Sequence, residues 1–301
     1  MPPVRLSSRH ARPPFTAPIA LTFVVIAGCS APIAGATAVP SVGPSSSGTP
    51  VGAIDHPTGA TDVVLRFEEG GGFVAPGFLA THAPPFTLYG DGTVIFRGAL
   101  EAPADMGDAI NRGVPFRIAR LSEDQLQALL DRAINRGGLG TARAHYDPGT
   151  IADAPTATFT LNAGGVRKSV SVVALGMDQP ASVDTPTLLA LASLADLLRN
   201  FDAGGTSGAG VYEPQRYRGI LSDSGLPGKG AKAWPWPNLT PANFVEHADG
   251  LGFAKRVMSA DEIAVLGLSD VEGGFQGLAL KAPDGKTYTF DMRPLLPDET
   301  S

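Results

Sequence analysis

Three times in this chain a short run of alternating apolar and polar residues meets a glycine turn and is answered by a second such run. Phe86-Thr-Leu-Tyr89 returns through Gly90-Asp-Gly92 as Thr93-Val-Ile-Phe96. Ala157, Phe159 and Leu161 return through Asn162-Ala-Gly-Gly165 as Val170, Val172 and Ala174, and Leu278 and Leu280 return through Pro283-Asp-Gly285 as Tyr288, Phe290 and Met292. Period-two alternation puts one set of side chains on one face of a pleated strand, and glycine supplies the positive φ that tight connections demand. Val63, Leu65 and Phe67 alternate with Val64, Arg66 and Glu68 in the same way. Hairpins pair neighbouring strands antiparallel, which sets this chain apart from the strict strand–helix–strand order of parallel α/β folds.

Helices interrupt the hairpins. Ser122 and Gln125 form a capping box, with Leu121 and Leu126 placed as its hydrophobic staple. Leu126, Leu129, Leu130, Ala133 and Ile134 make one apolar stripe, which Gly137 and Gly138 end. A second helix opens at Thr185 with Pro186 in its first turn and runs to about Phe201. Its leucines go nearly all round, so it is expected to be well buried. A third is short, with Ser259 and Glu262 as capping box, Met258 and Ile263 as staple, and Gly267 as its stop. The expected fold class is α+β, antiparallel hairpins packed with a few helices, with room for two subdomains. The expected boundaries are 61–203 for an α+β module and 211–297 for a smaller one or a continuation of the first, the break lying in the glycine-rich run from Asp202 to Gly210. Glu69-Gly-Gly-Gly-Phe73 and Glu272-Gly-Gly-Phe275 look alike, but no convincing repeat accompanies them.

The start of the chain reads as an export signal. Arg5, Arg9 and Arg12 form a positive region without an acid, and an apolar run from Phe15 to Gly28 follows. That run is shorter than the roughly 20 residues a membrane-spanning helix needs. It ends in Ile26-Ala27-Gly28-Cys29, which resembles the bacterial lipobox. The resemblance implies cleavage between Gly28 and Cys29 and a thioether-linked diacylglycerol on Cys29, so that 1–28 is a lipoprotein signal peptide. Cys29 is the one cysteine of the chain, which rules out an internal disulfide. No arginine pair marks the twin-arginine route, so export would proceed unfolded, a poor route for a protein preloaded with a cofactor. From 29 to 60 the chain is rich in Ala, Pro, Ser, Gly and Thr and reads as a flexible tether. The expected location is the extracytoplasmic face of a cell membrane, lipid-anchored.

The segment Pro85-Phe-Thr-Leu-Tyr-Gly-Asp-Gly-Thr-Val94, followed by Leu-Ser-Glu-Asp-Gln-Leu at 121–126 and Asp-Ala-Pro-Thr at 153–156, resembles a group of uncharacterised bacterial envelope and lipoprotein domains. These share a Tyr-Gly-Asp-Gly hairpin and a Leu-Ser helix, and the resemblance covers roughly 61–175. Related forms carry cysteines in the loop before the hairpin, where this chain has Gly70-Gly-Gly-Phe-Val74. The resemblance implies no activity and no site residues.

Without the signal, 20 basic residues stand against 29 acidic ones, a net charge of −9. That balance argues against nucleic acid as a partner. The histidines at 10, 56, 82, 145 and 247 show no metal-ligand spacing. Tyr146, Asp147 and Asp153 cluster near Pro148 and Gly149, an oxygen-rich stretch that lacks a calcium-loop pattern and suits a turn as well. The chain has no Gly-x-Ser-x-Gly elbow and no Ser-x-x-Lys, and Gly205-Thr-Ser-Gly-Ala-Gly210 follows a helix where a phosphate loop would open one. Asn238-Leu-Thr240 fits the N-glycosylation pattern, which is idle in a bacterial protein. Trp234-Pro-Trp236-Pro holds both tryptophans, and a ring there could face outward as a stacking platform for sugar or peptide or could plug the core. The expectation is a non-enzymatic protein binding a ligand or a partner such as an envelope protein or glycan, attached to the membrane through Cys29. It has no expected catalytic residue, metal or cofactor. The alternative is an envelope hydrolase whose site is assembled from scattered acids.

Overall fold

The computed structural model describes residues 52–74, 76–97, 107–108, 110–149, 151–177, 181–202, 208–223, 230–246 and 253–300. Gly28, Cys29 and His247 lie outside the described residues. In chain order the strands are β1 (Val63–Gly71), β2 (Phe86–Tyr89), β3 (Thr93–Phe96), β4 (Asn111–Arg112), β5 (Arg117–Arg120), β6 (His145–Tyr146), β7 (Pro155–Ala163), β8 (Val166–Val173), β9 (Gly210–Val211), β10 (Arg216–Asp223), β11 (Lys232–Ala233), β12 (Val245–Glu246), β13 (Ala254–Ser259), β14 (Phe275–Lys281) and β15 (Thr287–Pro294). The helices are α1 (Pro76–Thr81), α2 (Glu123–Asp131), α3 (Thr185–Arg199) and α4 (Ala260–Ala264).

The first sheet runs β6-β8-β7-β1-β2-β3-β5-β9, and the second runs β11-β14-β15-β10-β13-β12 with β4 added beside β14. Pairing is antiparallel except at two edges, where β6 joins β8 and β11 joins β14 in parallel. This is an α+β fold of two mostly antiparallel sheets. All three hairpins read from the sequence form, as β2-β3, β7-β8 and β14-β15. In the first of them only Gly92 takes a positive φ, +85°. Gly90 is there for another reason: a Cβ on it would run into the Pro57 backbone.

One face of the first sheet carries the larger core. Phe67 and Phe159 are register partners whose rings lie 5.1 Å apart, and Leu65, Leu88, Leu161 and Val170 extend the same layer. Helices α2 and α3 cover it. The Ser122 capping box is complete, since Ser122 Oγ accepts the Gln125 N–H at 3.3 Å and Gln125 Oε1 accepts the Ser122 N–H at 2.9 Å. Leu121 and Leu126, the staple pair, are both buried, as are Leu129, Leu130 and Ala133 of the stripe. Helix α3 buries one side well and leaves another open. Leu191, Leu194 and Leu198 are buried, Leu188 and Leu197 are half-buried, and Leu189 stays 67% exposed. It packs one side only.

The second sheet has its own core, in which Tyr217, Met258, Ile263, Phe275, Phe290 and Met292 are buried. The two halves are cross-wired. Strand β4 leaves the first half to pair with β14, and α1 packs on β10, β14 and β15. In the other direction the C-terminal Leu296 sits with Tyr89, Ile95 and Phe116 on the second face of the first sheet. The residues from Thr49 to the end form one compact unit.

The chain is also tied down earlier than its composition suggests. Within the stretch read as tether, the Ile54 N–H donates to Gln127 Oε1 at 2.7 Å and its carbonyl accepts from Gln127 Nε2 at 2.9 Å. Gly164 N–H donates to the Asp55 carbonyl at 2.7 Å, and His56 Nε2 lies 3.2 Å from Glu123 Oε1.

Candidate functional site

The cross-wiring leaves a cleft of about 260 Å³ where α1, the end of β3, β4 and the start of β14 converge. Its floor is glycine. Gly113 donates its N–H to the Gly274 carbonyl at 2.8 Å, and Gly113 and Gly273 approach so closely that a Cβ on either would strike the other's backbone. Glycine is required here because two backbones cross with no room for a side chain. The similarity of Glu272-Gly-Gly-Phe275 to the earlier glycine run thus marks a close approach on the second sheet. On one wall Thr81 of α1 accepts a hydrogen bond from the Gln276 side chain, which joins α1 to β14.

Two cations line this cleft, and they differ in kind. Arg112 is neutralised: its guanidinium forks onto Asp108 with N–O distances of 3.0 and 2.7 Å, and its Nε donates to the Ser269 carbonyl. The fork holds Asp108 down at about 2. Arg97, directly after β3, meets no carboxylate among the described residues. Its backbone N–H donates to the Pro85 carbonyl, one of its terminal N–H groups donates to the Val114 carbonyl at 3.2 Å, and its guanidinium lies over the Phe116 ring at 4.4 Å. Burial pushes its pKa down, and no acidic side chain counters that.

His82, just past α1, is the third polar group. Its Nε2 is buried without a hydrogen-bond partner among the described residues. The Phe78 ring stands 5.8 Å from its own. Burial first, then the charges of Arg97 and Arg293, push its pKa below the usual histidine value, with Glu69 opposing weakly. Both effects disfavour the protonated imidazole.

Elsewhere the sequence-singled residues take structural roles. Trp236 is 4% exposed and its Nε1 donates to the Glu262 carbonyl at 2.7 Å. Trp234 is half-buried, donates to the Leu239 carbonyl at 2.7 Å, and meets Trp236 edge-on at 5.1 Å. Trp236 also packs on Phe290. The pair plugs the second core, so the outward platform has no ring face to offer at Trp236. Asp147 Oδ1 accepts the Gly149 N–H, a turn contact, and Tyr146 is buried with its hydroxyl accepting the Arg143 N–H. His145 Nδ1 pairs with Ser171 Oγ at 2.8 Å. Among the described residues no group of three or more His, Cys, Asp or Glu is placed to hold a metal ion, and no helix is long and apolar enough to cross a membrane.

A hydrolase site built from acids would need two facing carboxylates, one of raised pKa. Burial raises Glu68 and Asp291. The charges acting on Glu68 are those of Arg66, Glu299, Asp298 and Arg293, while Asp291 accepts the Gly277 N–H on its own strand pair. The two raised acids do not act on each other.

No protein-family model, curated protein or solved structure matches this chain. Its fold and its site stand on its own residues.

Proposed function

We propose that this chain is a lipid-anchored cell-envelope protein that binds a small ligand, without catalysis, in the cleft between α1, β4 and β14. Acyl chains on Cys29, after cleavage at Gly28-Cys29, would hold it at the extracytoplasmic face of the membrane. The observation that carries the binding reading is Arg97: a desolvated guanidinium lining a preformed cleft with no carboxylate on it among the described residues, in a lining it shares with His82. Ligand sites are concave and largely apolar with a few convergent polar groups, and Arg97 among Phe78, Phe275 and Met292 fits that description. Among the described residues lining the cleft there is no carboxylate, so its walls suit holding a ligand better than cleaving one.

Two measurements test this. Mass spectrometry of the mature N-terminal peptide should find diacylglyceryl-Cys29, and Cys29→Ser should release the protein from the membrane fraction. An unmodified Cys29, or membrane retention of Cys29→Ser, contradicts the anchor. The full mature chain in detergent is then screened by thermal shift against small acids, sugars, amines and peptides. A ligand of the folded state at a hundredfold excess over Kd adds about 2.7 kcal/mol. Asn111 is exposed at the cleft edge, so Asn111→Trp blocks the cleft at little structural cost. A shift with one class that Asn111→Trp abolishes supports the reading. No shift with any class, or one that survives the block, overturns it.

A further inference from the structure

We propose that the ligand of this cleft is a small carboxylic acid bound as its anion, the carboxylate on Arg97 beside the His82 ring and the carbon skeleton against Phe78, Phe275 and Met292. This rests on the cleft reading above and names the chemistry of its occupant.

Arginine pairing elsewhere in the molecule makes Arg97 stand out. Arg66 meets Asp298 at 2.7 Å, Arg112 meets Asp108 at 2.7 Å, and Arg293 meets Glu299 at 2.6 Å. Each of these three guanidiniums has a carboxylate, and Arg97 lacks one among the described residues. The planar fork of arginine matches a carboxylate in two parallel hydrogen bonds. Its stacking on the buried Phe116 ring fixes the plane of that fork before any ligand arrives. The hydrogen bond to Val114 occupies one N–H, leaving the others for a ligand.

Charge selects the valence of the ligand. Arg112 is already balanced by Asp108, so among the described residues Arg97 is the cleft's positive charge without a carboxylate. A monoanion balances it. A phosphate dianion would bring a second negative charge into a desolvated place. Phe78, 48% exposed at the mouth, and the buried Phe275 and Met292 give the rest of the ligand an apolar wall. The volume of about 260 Å³ lies below the roughly 300 Å³ at which sites for drug-sized ligands begin, so the acid is small.

The test is isothermal titration of the full mature chain with straight-chain acids from acetate to hexanoate, their amides, their amines and inorganic phosphate. The expected result is binding of one or more acids, at least tenfold weaker binding of the matching amide, and no binding of the amine. Arg97→Gln should weaken the acid at least tenfold, with Arg97→Lys in between and circular dichroism confirming that both variants fold. Should Arg97→Gln fail to fold, Asn111→Trp must abolish acid binding instead. If amides or amines bind as well as acids and Asn111→Trp blocks them, the cleft reading stands and the carboxylate falls. If phosphate binds more tightly than every acid, phosphate replaces carboxylate and the proposal is overturned. If nothing in the series binds the wild type, the carboxylate proposal is overturned, and the wider thermal-shift screen decides the cleft reading separately.

Discussion

The Tyr89 hydroxyl donates to Asp298 Oδ1 across 2.6 Å, and Arg66 donates to the same oxygen from 2.7 Å. Two residues of the first sheet thereby grip the far end of the chain. Burial and this bond push the Tyr89 hydroxyl far above its ordinary pKa. Asp298→Ala would leave Arg66 uncompensated. Loss of one partner of a fully buried pair costs 3–5 kcal/mol, and the side chains here are 15% and 18% exposed, so the expected loss is roughly 2 kcal/mol. Guanidinium denaturation should show a lower midpoint with an unchanged slope. A loss under about 0.5 kcal/mol would mean that the C-terminal segment does not clamp the first sheet.

Glu299 sets an acid limit on stability. Burial alone would raise its pKa, but the Arg293 fork, at 2.9 and 2.6 Å, and the Leu296 N–H outweigh that and hold it below the usual glutamate value. A carboxylate depressed in the folded state contributes stability that is present above its unfolded pKa and lost as pH falls through the folded one. Stability should therefore drop as pH falls below about 4.5, the ordinary glutamate value. Glu299→Gln should be less stable at pH 7 and show a shallower acid loss, measured by denaturation midpoints from pH 7 to pH 3. An identical acid profile in both proteins would contradict the role given to Glu299.

Trp236→Ala should destabilise by roughly 3–5 kcal/mol, the cost of removing a large buried aromatic. Ligand affinity at the cleft should not change under conditions where the variant is folded. Lost affinity with unchanged stability would return Trp236 to the binding surface.

His82 gives binding a pH dependence with a definite sign. The groups around it are Arg97 after β3, Arg293 on β15, Glu69 on β1 and the Phe78 ring on α1. A carboxylate arriving in the cleft that His82 lines favours the protonated imidazole and raises the depressed pKa, so binding takes up protons. Affinity should climb as pH falls toward the ordinary histidine value, as long as the acid itself stays ionised. His82→Gln should flatten that dependence, as titrations between pH 5.5 and 8 would show. An unchanged slope in His82→Gln would remove the imidazole from the site.

What the sequence announced was local. Hairpin turns and capping boxes are written within four to ten residues, so β2-β3, β7-β8, β14-β15 and the starts of α2 and α4 could be read directly. The burial of α3 could not, because leucine spacing does not say how many sides will find a partner, and Leu189 found none that covers it. The docking of Ile54 was hidden for a similar reason: Gln127 lies 73 residues away. Trp234 and Trp236 drew attention by their rarity, and rarity does not separate a platform from a plug. Arg97 gave no signal at all. It is one arginine after an ordinary strand, and its meaning comes from the crossing of Gly113 with Gly273, about 160 residues apart, which walls the space it faces, and from the lack of a carboxylate among the described residues there.

The most direct measurement of the central claim is the imidazole nitrogen spectrum of His82 in the full mature chain, recorded while the tightest-binding short-chain acid is added. The account predicts that the His82 resonances, alone among the histidines, shift in saturable fashion and titrate at a higher pH in the presence of the acid, and that Arg97→Gln abolishes both effects. An acid that binds while the His82 resonances and their titration stay unchanged would place the ligand elsewhere and contradict the account.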